Sequence, residues 1–223
     1  MQYKIMIIPN NTCEILVVRH GQTKANKQGI FQGQLDTQLD DLGILQAKAI
    51  AQRLKNIHID ILFSSDLSRT MITAQEIISF HNELTIIPTQ DLREWNLGIL
   101  QGQLINDVKN NTPHLLAIIK NEIPDATIPN GESVKEFHTR IINFLTKVAN
   151  DNLGKRVLLV THGGAIQRML IHTFGILSQS NIRPSCDNVS LSSFKFTSGK
   201  WQLICWNDTA HLENLTTTQT IAL

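Results

Sequence analysis

Cysteine is scarce in this chain of 223 residues: only Cys13, Cys186 and Cys205, an odd number set far apart, with no CxxC and no Cys/His ligand spacing. That argues against a disulfide framework and against a zinc site, and makes the three small buried hydrophobes in a reducing compartment. Charge is scarce too, at 17% of residues against about 25% in an ordinary globular chain. Asn, Gln, Ser and Thr supply the polarity instead. Lys+Arg 20 against Asp+Glu 19 leaves a net charge of +1, so no global field recruits nucleic acid or anionic lipid, and any anion site must be local. Long apolar runs are absent as well. Ile5-Met6-Ile7-Ile8 before Pro9 is too short for the apolar region of a signal peptide or for a membrane span. No repeat, low-complexity block or Pro/Gly/Ser linker divides the chain. The expectation is one cytoplasmic domain over 1–223, with residues 1–13 an extension of unassigned role and the oligomeric state open.

Hydrophobic residues make up 42% of the chain, and a domain this long should bury roughly 70–75% of its unfolded surface. The patterning alternates between two periods. Glu14-Ile15-Leu16-Val17-Val18 is a nearly continuous apolar run ending in Arg19-His20-Gly21, as suits a strand buried on both faces. Over 41–57 the period becomes helical, with Ile44, Ala47, Ile50, Ala51, Leu54 and Ile57 on one stripe. A second strand is expected over 59–63, with Ser64-Ser65-Asp66 as N-caps of a helix carrying Leu67, Met71, Ala74 and Ile78. A third strand is expected over 84–87, stopped by Pro88. Residues 95–130 are less regular, with one helix expected near 115–120. Ser133-Val134-Lys135-Glu136 is a capping box ahead of Phe137, Ile141, Leu145 and Val148. Residues 156–160 form another apolar strand, running into Thr161-His162-Gly163-Gly164 and a helix, and 188–207 reads as a hairpin about Ser198-Gly199. Strands alternating with helices imply a mostly parallel sheet covered on both faces, with ligands bound beyond the carboxyl ends of its strands.

Both His-Gly pairs fall at such ends. Alone, Arg19-His20-Gly21 is equally a tripeptide in a turn, Arg69 a solvated arginine, His162 a helix cap and Glu94 a surface carboxylate. Together they are two imidazoles and two guanidiniums at the same ends of strands that should be neighbours, with a carboxyl group on another loop. Bidentate arginine suits phosphate oxygens, and neutral imidazole is a competent nucleophile towards phosphorus. A carboxyl group can protonate a leaving alcohol. Metal-free phosphoryl transfer needs that set: nucleophile, cationic cradle and acid.

At these residues the chain resembles the histidine phosphatase superfamily, which includes the cofactor-dependent phosphoglycerate mutases. Leu16-Val17-Val18-Arg19-His20-Gly21-Gln22-Thr23 with Asn26 resembles the family's nucleophile loop, and Phe31-Gln32-Gly33 and Leu39-Asp40-Asp41-Leu42-Gly43 continue the match. Ser64-Ser65-Asp66-Leu67-Ser68-Arg69-Thr70 resembles the segment of the second phosphate-binding arginine, and Leu92-Arg93-Glu94 with Gln101-Gly102 the acid loop. Gly131-Glu132-Ser133, Val160-Thr161-His162-Gly163-Gly164 and Asn207-Asp208-Thr209 follow in the family's order. The resemblance implies a three-layer α/β/α sandwich around a mostly parallel mixed sheet, with a partly helical insertion over the active site at about 95–130. It implies His20 as the phosphorylated nucleophile, Arg19, Arg69 and His162 as holders of the phosphoryl oxygens, and Glu94 as proton donor and later base. It places Asn26, Gln32, Gly33 and Gly163 at the phosphate or substrate, and asks for no metal and no cofactor.

One departure bears on the reaction. Phosphoglycerate mutases follow the glutamate with arginine and tyrosine and carry a lysine and an arginine pair in the insertion. Here Glu94 is followed by Trp95-Asn96-Leu97-Gly98, and the cations between Asp107 and Asn130 are Lys109 and Lys120, plus His114. Each missing charge-assisted hydrogen bond forgoes roughly 1.5–3 kcal/mol of grip on a doubly charged intermediate. The expectation is therefore a metal-independent phosphomonoester hydrolase working on a small phosphorylated metabolite. A phosphoglycerate mutase and a catalytically idle phospho-ligand binding domain are the alternatives. A nucleotide-binding enzyme is disfavoured because no G-x-x-x-x-G-K-[ST] loop is present. His58, His81, His114, His138, His172 and His211 are read as structural. Trp95, Trp201 and Trp206 are read as packing residues, with Trp95 beside the leaving-group pocket.

Overall fold

A computed structural model describes residues 8–121, 123–176, 184–213 and 215. Six strands form one sheet in the order β3-β2-β4-β1-β5-β6. β1 (Thr12–Arg19), β2 (Ile61–Ser65), β3 (Ile86–Thr89) and β4 (Arg156–Thr161) run parallel, and β5 (Leu191–Thr197) and β6 (Lys200–Asp208) are antiparallel. Alternate residues of the central strands feed opposite layers, as the period of two requires. Ile15, Val17, Val157 and Leu159 pack against α6 (Val134–Asp151) and α7 (Gly163–Phe174) through Phe137, Ile141, Leu145, Ile166 and Met169. Val18, Leu158 and Val160 pack against α2 (Asp41–Leu54) and α3 (Ser68–Ile78) through Ile50, Leu54, Ala74 and Ile77. Each such side chain contributes about 1.5–3 kcal/mol by leaving water, so the two apolar layers clamp the sheet between them. The fold is thus a mixed α/β sandwich with helices on both faces.

Several local expectations move. β2 reaches two residues further than 59–63, so Ser64 and Ser65 pair within the sheet instead of capping the next helix. The N-cap of α3 is Leu67, with no side-chain cap bond. Pro88 lies inside β3 instead of stopping it, paired opposite Ser64. β3 is an edge strand, where a residue without an N–H is tolerated. The helix expected over 41–57 ends at Leu54. Thr12 and Cys13, grouped with the extension by the sequence pattern, are the first residues of β1 and pair with Thr197 and Phe196; residues 1–7 lie outside the described set. Cys13 and Cys186 are buried as expected, whereas Cys205 is partly exposed. The capping box at Ser133 and Glu136 forms as read, and Ser198 and Gly199, both at positive φ, make the tight hairpin turn between β5 and β6.

The stretch from 95 to 130 holds two helices, α4 (Ile105–Asn111) and α5 (Pro113–Asn121), where one was expected. α4 buries Val108 alone, too little to show as a stripe. Pro113 opens α5, where its missing N–H costs nothing. Leu97, Leu100, Val108, Leu115, Leu116 and Ile128 form a third apolar cluster with Phe31. Phe31 is tied to it by backbone bonds, Phe31 N to Gln103 O and Gly102 N to Phe31 O. The cluster contains no residue of the sheet and takes in Phe31 from the segment that follows His20. Among the described residues no helix is long and apolar enough to cross a membrane.

Candidate active site

The strand register brings the two histidines together. Arg19 of β1 pairs with Thr161 of β4, so His20 and His162, each one residue further on, stand side by side. Their ring centroids are 5.2 Å apart in an edge arrangement. Both are buried, His20 at 3% exposure and His162 at 0%. His20 Nδ1 lies 2.7 Å from the Gly21 carbonyl. A carbonyl only accepts, so Nδ1 carries the proton and Nε2 the lone pair. His162 is the opposite tautomer. Its Nδ1 accepts from Arg69 Nε at 3.3 Å, and its Nε2 meets Ser65 Oγ at 2.9 Å. Burial first, and then the Arg69 and Arg19 guanidiniums, hold both imidazoles well below their ordinary pKa of 6.5. At neutral pH they are uncharged, and His20 keeps a free lone pair on Nε2.

Arg69 enters from the first turn of α3 and is 1% exposed. Its two terminal nitrogens donate to the carbonyls of Gly33 and Leu35, each at 2.7 Å. Burial lowers its pKa to about 10, which still leaves it charged. Gly33 turns with φ +52°, and a β-carbon there would collide with Gln101. Gln101 Oε1 in turn accepts the Gln34 amide at 2.6 Å. Arg19 donates to the Cys186 carbonyl and packs its guanidinium 3.4–3.5 Å from where a β-carbon on Gly163 would lie. A β-carbon there would be in ordinary van der Waals contact with the arginine. Burial also pushes the Cys186 thiol up to about 11, so it is not a thiolate.

Glu94 faces this group from the loop after β3. Its carboxylate accepts from Gly164 N at 3.0 Å and Trp95 N at 2.9 Å, so two backbone amides aim it. His20, Arg19, Arg69, Glu94, Asn26, Gln32, Gly33 and Gly163 all line one cavity of about 780 Å³. His162 does not line it. It stands behind, with both nitrogens engaged, and touches the cavity through Arg69 and the edge of His20. Asn26 Oδ1 is taken by Thr23 in the capping box of α1 (Lys24–Gln28), and Gln32 Oε1 accepts from Thr37 Oγ1 at 2.6 Å. Their amide nitrogens are the groups left to donate.

Other residues of the site were not legible from the sequence. Asn188 Nδ2 donates to the His20 carbonyl at 2.9 Å and holds the backbone at His20. Ser65 Oγ partners His162 Nε2 at 2.9 Å. Arg168 of α7 lines the cavity and is buried. Arg140 of α6 donates to the carbonyls of Asp91, Arg93 and Glu94 at 2.9, 3.0 and 3.3 Å and pairs with Glu132 at 2.6 Å. An inward arginine two turns along a helix has no signal of its own until the loop it braces is known. Among the described residues no group of three or more His, Cys, Asp or Glu side chains could hold a metal ion.

Comparison with known proteins decides the family. Residues 15–209 match the model of the histidine phosphatase superfamily, branch 1. The chain belongs to that superfamily. Phosphoglycerate mutase-like protein 4 of Arabidopsis thaliana is 34% identical over 209 residues, covering 90% of this chain and 87% of that protein. The probable phosphoglycerate mutase GpmB of Yersinia pestis is 34% identical over 205 residues, covering 90% of this chain and 95% of its own length. Among solved structures, mycobacterial glucosyl-3-phosphoglycerate phosphatase complexed with VO3 superposes with a TM-score of 0.78 at 28% identity, covering 88% of this chain and 99% of that one. Histidine phosphatase relatives of this chain thus carry both mutase and phosphatase names.

Proposed function

We propose that this histidine phosphatase is a metal-independent phosphomonoester hydrolase that forms a phosphohistidine at His20 on a small phosphorylated metabolite. His20 Nε2 attacks phosphorus, the N–P bond forms and the P–O bond to the alcohol breaks. Arg19 and Arg69 hold the phosphoryl oxygens, with His162 holding Arg69 in place and coming to the oxygens as they arrive. Asn26, Gln32 and the backbone at Gly33 and Gly163 complete the cradle. Glu94 gives its proton to the departing alkoxide. It then takes a proton from water, whose oxygen attacks phosphorus; the N–P bond breaks, inorganic phosphate leaves and His20 is restored. The cationic cradle supplies the charge stabilisation, so no metal is required. A net charge of +1 favours a small partner over nucleic acid or a membrane surface.

One observation supports hydrolysis over isomerisation. Lys109 and Lys120, the insertion's lysines, are exposed and do not line the cavity. A mutase must hold a second phosphoryl group in the same cavity while it reorients, and the far wall offers that group no lysine. The mutase reading draws on the names of the two 34%-identical relatives. An idle binding domain would not need His20 and Glu94 disposed on one cavity. Incubation with 3-phosphoglycerate, with and without 2,3-bisphosphoglycerate, separates the readings. Hydrolysis gives inorganic phosphate with no dependence on the bisphosphate. Bisphosphate-dependent 2-phosphoglycerate without phosphate release makes the chain a mutase, and no turnover of any monoester makes it idle.

A further inference from the structure

The cavity is far larger than a phosphoryl group needs. Five heavy atoms fill about the volume of two or three waters, roughly 60–90 Å³, whereas the cavity measures about 780 Å³, a size that encloses whole drug-sized ligands. Most of it is therefore room for the leaving group, and one side of that room is apolar. Ile30 and Phe31 come from the chain after α1, Trp95 and Leu97 from the chain after Glu94, and Ile105 and Ile119 from α4 and α5. Three of these, Trp95, Ile105 and Ile119, are also the partly exposed margin of the third apolar cluster. Phe31 and Leu97 of that cluster line the cavity as well, so the cluster is continuous with the apolar side of the site.

Charge points the same way. With a phosphoryl dianion on Arg19 and Arg69, the remaining charged residues described in the lining are Arg168, Glu94 and Asp187. With Glu94 protonated as the acid, one guanidinium (Arg168) against one carboxylate (Asp187) offers a second anion on the substrate no net attraction. Arg168 also stands on α7, on the wall of Gly163 and Gly164, not on the apolar side. We infer that the leaving group is the uncharged, bulky and largely apolar part of an alkyl or aryl alcohol, seated on Trp95, Ile105 and Ile119, and that carboxylate-bearing phosphates are poor substrates. This inference rests on the hydrolase reading.

A chain-length series tests it at constant leaving-group chemistry. For n-alkyl phosphates from propyl to octyl, kcat/KM should rise about 3- to 4-fold per methylene while the pocket fills. Hexyl phosphate should exceed 3-phosphoglycerate and phosphoserine. Ile105→Asn and Ile119→Asn should each flatten the slope with chain length. A parallel calorimetric titration with n-alkylphosphonates, which cannot be hydrolysed, reads the same pocket without turnover. If no ester is hydrolysed yet phosphonate affinity still climbs with length, the hydrolase reading fails and the apolar pocket stands. Affinity and kcat/KM independent of chain length, or a preference for 3-phosphoglycerate or phosphoserine over hexyl phosphate, overturns the inference.

Discussion

Glu94 accepts a hydrogen bond from the amide of Gly164 at 3.0 Å, and a β-carbon on Gly164 would overlap the same carboxylate. The contact joins two segments far apart in sequence, the loop after β3 and the first turn of α7. His162 is the N-cap residue of that same turn, so one helix start sets the place of Glu94 and of the histidine beside His20. Gly164 is glycine for room and not for its backbone angles, since it sits in an ordinary helical turn.

Gly164→Ala should therefore displace the acid and leave His20 and the arginines in place. For alkyl phosphates, whose leaving alkoxide needs a proton, kcat should fall by about 10²-fold, the low end for a general acid. For p-nitrophenyl phosphate, which leaves unaided, the loss should be several-fold smaller. Equal losses on both esters would mean that the acid is elsewhere.

Arg69→Lys keeps the charge and removes the fork. The guanidinium spans the Gly33 and Leu35 carbonyls and reaches His162 with its third nitrogen, and an ammonium cannot take three such directions at once. We expect kcat/KM to fall roughly 10²-fold or more, about 2.7 kcal/mol of transition-state binding. Near-normal kinetics would place Arg69 outside the phosphate cradle.

Arg140 does not line the cavity, yet it binds the carbonyls of Asp91, Arg93 and Glu94 in the acid loop, with Glu132 closing the pair and accepting the Asn96 amide at 2.8 Å. It is a positioning residue for Glu94. Arg140→Met should lower kcat on alkyl phosphates roughly tenfold or more, a fraction of the 10²–10⁴ that a general acid supplies. KM and the rate with p-nitrophenyl phosphate should change much less. A uniform drop on all esters, matched by a lower melting temperature, would reduce Arg140 to a structural brace.

The buried imidazoles give stability a sign with pH. In the unfolded chain they take up protons near pH 6.5, whereas burial and the neighbouring guanidiniums keep His20 and His162 neutral well below that. His211, held at about 4 by burial and then by Arg53, behaves alike. Between those limits the unfolded chain binds more protons than the folded one, so stability rises with pH and is lost as pH falls. The carboxylates with lowered values, Glu14, Asp66, Glu136 and Asp208, start from 4.5 or 3.8 and act only below that. The urea midpoint should therefore decline from pH 6.5 to 4.5. Over the same range nitrogen NMR should show His20 as the Nδ1–H and His162 as the Nε2–H tautomer. A flat midpoint, or a protonated His20 at pH 5.5, would contradict the neutral state of the buried imidazoles, and the opposite NMR pattern would contradict their tautomers.

The site was legible where one short segment carries both a strand end and a reactive side chain. Arg19-His20-Gly21 and His162-Gly163-Gly164 are such segments, and the parallel register of β1 and β4 turned them into neighbours. The sheet was legible for the same reason, because strands buried on both faces write continuous apolar runs. Ser65, Asn188 and Arg140 were not, because each acts on a residue 97, 168 or about 46–49 positions away and looks locally like any surface polar residue. α4 was missed because it buries one side chain, and β3 was cut short because Pro88 reads as a stop unless the strand is known to lie at an edge. The resemblance makes His162 a holder of the phosphoryl oxygens; its two nitrogens meet Arg69 Nε and Ser65 Oγ.

That placement sharpens the test of the nucleophile. If His20 forms the bond, rapid quenching during turnover should trap phosphate on the protein as an acid-labile, base-stable adduct. His20→Ala should abolish the label, because His162 has both nitrogens occupied and does not line the cavity. His162→Ala should slow labelling without abolishing it. Losing a group that holds the cradle costs about 2.7–4 kcal/mol of charge stabilisation, or 10²–10³ in rate. Because Arg69 Nε leans on His162, the same variant should also loosen inorganic phosphate binding, a readout that a fault in the nucleophile alone would not move. Glu94→Gln should accumulate label with a good aryl leaving group, since the first step needs no acid there and the second loses the base that activates water. Label recovered on His162, or a Glu94→Gln enzyme that neither labels nor turns over an aryl ester, would transfer the roles assigned to His20 and Glu94 to other residues of the cavity.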